Sequence, residues 1–171
     1  MVSSLEHPYT NVLQQYLELE KLLIEFFAQV RFCQSDCPIT DGIGCCDKYH
    51  FVEIGDFVPR IHVLNHERQR LYGGPSKERY DVEKCFFHSV ESGCQLKSHR
   101  SSICLAFACE NLVEHLMREY DLHYDPNDIR YWLQKILMGK MSGCEFDNVK
   151  MRINRMIADV ECHESKKNIK T

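Results

Sequence analysis

A chain of 171 residues, 44% hydrophobic and 27% charged, is long enough for a buried core and has the balance of an ordinary soluble globular protein. Its formal charge of −4 and pI near 6.1 argue against a general nucleic-acid binder, which carries a basic face. No apolar run reaches the length of a membrane span, and Met1 to Thr10 shows neither the basic start nor the apolar stretch of a secretory signal. The expectation is one cytoplasmic domain over 1–171, without nucleic-acid or membrane partners.

Pro8 to Phe32 reads as the first helix, with Val12, Leu13, Tyr16, Leu17, Glu20, Leu23, Ile24, Phe27 and Val30 along one stripe. Leu19, Leu22 and Phe26 widen that stripe, so the helix belongs in a core and delivers Cys33 at its C-terminal end. From Cys33 to Asp47 the turn residues Ser35, Asp36, Pro38, Asp41, Gly42 and Gly44 predict a loop. Gly42-Ile43-Gly44 leads into two cysteines rather than a helix, so it fails as a nucleotide loop. Asp56 is placed to cap a helix through about Tyr72, with Pro59 in its first turn and Val58, Ile61, His62, Leu64 and Leu71 on its inner face. His62 and His66 stand four apart on that helix, a spacing that can ligate a metal but more often marks two surface histidines.

After the Gly73-Gly74-Pro75-Ser76 turn, Cys85-Phe86-Phe87 and Cys94-Gln95-Leu96 suit a short hairpin around Glu91-Ser92-Gly93. Ser101 or Ser102 is expected to cap a helix to about Tyr120, with Cys104 in its first turn, where a helix N-terminus favours thiolate. Asp125-Pro126-Asn127-Asp128 starts the next helix, whose apolar face is Ile129, Trp132, Leu133, Ile136 and Leu137 and whose end is Gly139. A last helix follows Ser142-Gly143 with Phe146, Val149, Ile153, Met156, Ile157 and Val160 facing inward, and the polar tail 161–171 is expected to fray. The fold class is mainly α: a small helical domain with a cysteine-rich, metal-organised loop layer, a short β-hairpin being an option. The cysteine-cluster core spans 33–109 and the C-terminal helices 126–160.

Eight of the ten cysteines fall into two groups, Cys33-x3-Cys37-x7-Cys45-Cys46 and Cys85, Cys94, Cys104, Cys109, separated by 38 residues without cysteine. In a reducing compartment such clustering speaks for metal ligation rather than disulfides, whereas Cys144 and Cys162 read as small apolar fillers. Thiolate suits zinc, cuprous copper and iron–sulfur clusters. Eight thiols allow two four-sulfur sites, or one site with spare thiols. Cys45 and Cys46, pointing oppositely on an extended chain, are more easily shared between two sites than placed on one ion. Neither group has ferredoxin or zinc-ribbon spacing, so spacing leaves the metal open. The turn-rich loop with its glycines tilts the choice slightly toward a bulky iron–sulfur cluster.

This arrangement resembles the YkgJ family, a zinc- or iron-chelating cysteine-cluster domain. Cys33, Cys37, Cys45 and Cys46 match its first half; Cys85 with Phe87, Cys94 with Leu96, Arg100, Cys104, and Phe107 with Cys109 match its second. Phe86, His88, Lys97 and Ser101 depart from the family's proline, leucine, tyrosine and proline, and no cysteine is lost. The resemblance implies metal ligation by the eight cysteines, with Arg100 near the site as a fixed cation beside the thiolates. His88, three residues after Cys85, stands where the family has leucine and reads as a neighbour of the site rather than a ligand.

The leading function is therefore a metal-binding protein whose metal holds the fold, with electron transfer to an unidentified redox partner as a further role. A metalloenzyme related to cysteine-cluster methylases is the alternative, weakened by the lack of a recognisable methyl-donor loop, so an enzyme is the less favoured reading. A disulfide-stapled binding module would require export.

Overall fold

The structure is a computed structural model that describes residues 10–35, 50–53, 59–74, 85–89 and 93–169. Its described part is mainly helical: α1 (Thr10–Val30), α2 (Phe32–Ser35), α3 (Pro59–Tyr72), α4 (Ser102–Ala106), α5 (Glu110–Tyr120), α6 (Pro126–Leu137) and α7 (Gly143–Ile169). Between α3 and α4 lies a minimal antiparallel hairpin, β1 (His88–Ser89) and β2 (Gly93–Cys94), in which His88 faces Cys94 and Ser89 faces Gly93.

The α1 stripe buries Tyr16, Leu19, Leu23, Phe26 and Val30, spacings of three and four that keep one side of a 3.6-residue helix inward. That side packs along α7 and α6. Ile24, expected inside, is at the surface. The helix stops two residues earlier than its hydrophobic pattern suggests. Arg31 takes a left-handed φ of 55°, and Phe32 turns into the separate α2 to pack its ring, tilted by 41°, with its centre 4.6 Å from that of His115 of α5. Cys33 therefore sits on α2, exposed.

The expected continuous helix over 102–120 is two helices. Ser101 caps α4, its hydroxyl accepting from the Cys104 N–H at 3.1 Å. Phe107 and Cys109 then adopt extended ψ angles of 121° and 162°. The Tyr124 hydroxyl donates to the Ala106 carbonyl at 3.0 Å, satisfying an end of α4 that a longer helix would have used internally. The break lets α4 pack on α6 while α5 packs on α2 and α7.

α6 begins as its sequence dictates: Asp125 accepts from the Asn127 N–H at 2.8 Å, and Pro126 fills the first turn. It ends at Gly139, whose φ of 65° suits a residue without a Cβ. At the start of α7, Ser142 and Glu145 cap each other reciprocally, with Glu145 Oε2 2.9 Å from the Ser142 nitrogen and Ser142 Oγ 3.3 Å from the Glu145 nitrogen. Lys135 and Ser142 together hold the Glu145 carboxyl down to about 2.

All six inward residues expected for α7 are buried. The helix does not fray after Val160 but continues to Ile169. The Tyr120 hydroxyl donates to Glu164 Oε1 at 3.0 Å and Lys167 Nζ to Glu119 Oε2 at 3.3 Å, so the polar residues of the tail tie it to α5. No described helix is long and apolar enough to cross a membrane.

A second, smaller apolar cluster lies outside the main core. It is formed by Phe51, Cys85, Phe87 and Leu96, with Val52, Tyr72, Phe86 and Cys104 packed against it. Here the hairpin, the end of α3 and the start of α4 meet.

Candidate metal centre

The chain from Leu96 to Ser102, which joins two of the predicted ligands, is held from several sides by buried polar groups. Glu20, on the α1 stripe and 2% exposed, accepts from the His99 N–H at 2.7 Å, the Arg100 N–H at 3.0 Å and Arg100 Nη1 at 3.4 Å. Hydrogen bonds to a charged acceptor contribute about 1.5–3 kcal/mol each, offsetting in part the cost of burying the carboxylate. The net effect is a raised Glu20 pKa: burial pushes it up, and the two backbone N–H groups and Arg100 oppose it. Arg68 of α3, 4% exposed, donates from Nη1 to the His99 carbonyl at 2.9 Å and from Nη2 to Asn65 Oδ1. Between these two clamps His99 adopts a left-handed φ of 62°, a strain of about 1–3 kcal/mol for a residue with a Cβ.

Further anchors come from α1, α3 and residues 50–53. The Tyr16 hydroxyl donates to the Arg100 carbonyl at 2.8 Å. Glu53, fully buried, accepts from the Ser102 N–H and from Ser102 Oγ, the latter at 2.9 Å. The Tyr72 hydroxyl accepts from the Lys97 and Ser98 nitrogens at 3.2 and 3.0 Å. Ser101 Oγ donates to the His50 carbonyl. This segment is thus positioned by residues up to 84 positions away in sequence.

Cys94 and Cys104 flank the clamped segment, and Cys85 lies within electrostatic reach of both. Cys85 is buried in the small aromatic cluster, Cys104 packs against it half-buried, and Cys94 is exposed on β2. They lie close enough for their charges to act on one another: ionised Cys94 makes Cys85 harder to ionise, and ionised Cys85 and Cys94 do the same to Cys104. Burial pushes the Cys104 thiol up to about 11, against the Ser101 hydrogen bonds, and pushes Cys85 up as well. The thiolate-favouring helix N-terminus expected at Cys104 is overcome, because α4 has only five residues and the desolvation of a buried anion is the larger effect.

A cation is also at hand. Arg68 lowers the Cys85 pKa, and Cys104 is the largest charge partner of Arg68 itself. Three soft sulfur donors that share one environment and repel when ionised suit a metal cation, whose charge would relieve that repulsion. Among the described residues, no three His, Cys, Asp or Glu side chains are gathered closely enough to hold an ion as they stand.

The other predicted residues fall elsewhere or outside the described part. Cys109 is the N-cap residue of α5 and packs against the main core. Cys33 is exposed on α2. Cys37, Cys45 and Cys46 lie outside the described residues, as does the expected Asp56 cap. Cys144 and Cys162 are exposed on α7, not the apolar fillers expected. The described cysteines form no disulfide. Arg100 turns its guanidinium to Glu20 and to the Leu96 carbonyl, so the buried cation whose field reaches the thiols is Arg68.

Arg68 could have been found in the sequence. It stands four residues after Leu64 and seven after Ile61, on the same inward stripe, where a charge demands a partner. His62 and Leu71, expected on that inner face, are instead exposed. His62 and His66 have ring centres 6.3 Å apart beside a cleft of about 530 Å³, with no third ligand gathered among the described residues. Comparison with protein-family models, with curated proteins and with solved structures finds no match for this chain.

Proposed function

We propose that this chain is a metal-binding protein of the zinc- or iron-chelating cysteine-cluster class, resembling the YkgJ family. Zinc or an iron–sulfur cluster would be held by Cys33, Cys37, Cys45, Cys46, Cys85, Cys94, Cys104 and Cys109. The observation that carries this reading is that Cys94 and Cys104 flank a segment held in place by α1, α3 and residues 50–53, with Cys85 and the buried Arg68 within electrostatic reach of the thiols. So many hydrogen bonds on the short loop that joins Cys94 to Cys104 suit a pair of ligands, because ligands are best positioned before the ion arrives. The role is structural, with electron transfer to a partner protein if the metal is an iron–sulfur cluster. The setting is the reducing cytoplasm, where thiols stay free. Arg100 supports the site at one remove, fixing the backbone between Cys94 and Cys104 through Glu20.

Protein purified without air and analysed for metal and by absorption tests the reading. Bound iron with absorption near 400 nm assigns a cluster, and stoichiometric zinc in a colourless protein assigns a zinc site. Cys94→Ser should lower metal content and melting temperature together, since a structural metal contributes on the order of 10 kcal/mol. Metal-free protein with an unchanged melting temperature in that variant would overturn the proposal.

A further inference from the structure

The cleft beside α3 has a lining of its own. His62, Asn65, His66 and Gln69 follow one another at i, i+3, i+4 and i+7, a single stripe along that helix, and all four border the cleft. Its volume of about 530 Å³ falls in the range of sites for small molecules. Each member of the stripe carries an N–H donor, since even a neutral imidazole keeps one, and none carries an acid. Glu67 comes 3.7 Å from His66 Nδ1, but its carboxylate is held by Arg70 at 2.9 Å and it is not among the described lining residues.

The apolar part of the lining is aromatic and rigid. Phe51 and Phe87, both buried, meet edge to face with ring centres 5.3 Å apart and planes at 86°. They belong to the packed cluster that holds Leu96, so the surface they offer is fixed. Arg68 also lines the cleft, with its guanidinium carbon 5.8 Å from the centre of the Phe51 ring. Glu20 and Glu53 act on that guanidinium as well, so part of its charge is already balanced. Asn65 is committed to the scaffold, accepting from Arg68 and donating from Nδ2 to the Glu53 carbonyl at 3.3 Å. The exposed members of the stripe are His62, His66 and Gln69.

We propose that this cleft binds a small aromatic carboxylate, its ring against Phe51 and Phe87 and its carboxylate on the N–H donors of His62, His66 and Gln69, beside Arg68. Charge complementarity selects the class. An ammonium would meet no carboxylate among the described lining residues. A dianionic phosphate would meet one fixed cation that is already partly balanced. A carboxylate has a single charge to neutralise and two oxygens that accept several N–H bonds, which matches a donor-rich rim beside one arginine. The inference stands apart from the cysteine reading, since no cysteine is among the described lining residues.

The test titrates the full chain, as purified, with 3-phenylpropanoate, followed by saturation transfer to the ligand ring and by the histidine ring protons of the protein. Saturable binding that shifts the His62 and His66 resonances is the expected result. The neutral 3-phenylpropanamide and the cationic 3-phenylpropylammonium should each bind about tenfold more weakly or worse, the loss of a charge-assisted contact. His62→Glu, which sets a carboxylate in the rim, should weaken binding by about tenfold or more, whereas His62→Gln, which keeps a donor, should stay near wild type. Both changes are at an exposed position and should leave the melting temperature in place. Tyr131→Ala, on the exposed face of α6, should not alter binding.

Equal binding of the acid and the amide, or tighter binding of the amine, would overturn the carboxylate class. Unchanged binding in His62→Glu would overturn the location, and no saturable binding of 3-phenylpropanoate would overturn the site. None of these outcomes bears on metal binding by the cysteines.

Discussion

Replacing Arg68 separates the electrostatic part of this site from its scaffolding. Arg68→Met keeps much of the side-chain volume but removes the charge and both donors. It leaves the His99 carbonyl and the Asn65 side-chain oxygen without the guanidinium that holds them in a buried setting. Each group that loses its partner costs about 1–3 kcal/mol, so the variant should be about 2–6 kcal/mol less stable. In a chain of this length 1 kcal/mol shifts the melting temperature by about 2–4 °C, giving a fall of about 4–24 °C by circular dichroism.

The second readout is thiol ionisation in metal-free protein. Arg68 lowers the Cys85 pKa, so its loss should raise it further and slow alkylation of Cys85 at mildly alkaline pH, followed by peptide mass spectrometry. Metal affinity should fall about 10–100-fold, the range for partners that act through ligands. Arg68→Lys distinguishes the two contributions. A lysine keeps the cation but cannot fork to the His99 carbonyl and Asn65 together, so alkylation should stay near wild type while the melting temperature drops. An Arg68→Met protein with unchanged melting temperature and unchanged thiol titration would refute the assignment of Arg68 as the cation of the site.

In metal-free protein the neutral Cys104 thiol, with its pKa raised to about 11 from an ordinary 9, contributes stability that is fully present below about pH 9 and lost as pH rises through about 11. That shift corresponds to about 3 kcal/mol, and Cys104→Ala should remove this part of the alkaline destabilisation; an identical alkaline slope in the variant would count against it. Replacing Cys144 and Cys162 together by Ala should leave metal stoichiometry and melting temperature nearly unchanged, because both are exposed on α7; loss of metal would mean the site reaches further than proposed. Arg100→Gln should destabilise the protein through Glu20 and leave the alkylation profile of Cys85 in place, and a shifted profile would return Arg100 to direct contact with the thiols.

Local chemistry settled the elements whose signals lie within a few residues of each other. The inward faces of α6 and α7, the Asp125 cap and the Gly139 end were legible because helix periodicity and capping depend on neighbours three or four positions away. The two cysteine groups were legible for a similar reason, since unusual residues at short spacing stand out without a fold. The lower face of α3 was not. His62 was expected inward and is exposed, whereas Arg68, for which the sequence reading made no place, is buried, because it finds the His99 carbonyl 31 positions away and a cation with partners can be buried. Glu20 stood on an apolar stripe for the same cause, its partners His99 and Arg100 being 79 and 80 residues distant. The break at 107–109 and the continuation of α7 to Ile169 likewise depend on Tyr124, Tyr120 and Glu119, contacts between elements that no window of sequence contains. Sequence determined which residues carry the sulfur chemistry and which helices form. Only the tertiary structure decided that Cys85 and Cys104 pack in one small cluster with Cys94 within electrostatic reach, that His88 faces Cys94 and that Cys109 turns toward the main core, because such proximity is set by long-range packing and hydrogen bonding rather than by spacing along the chain.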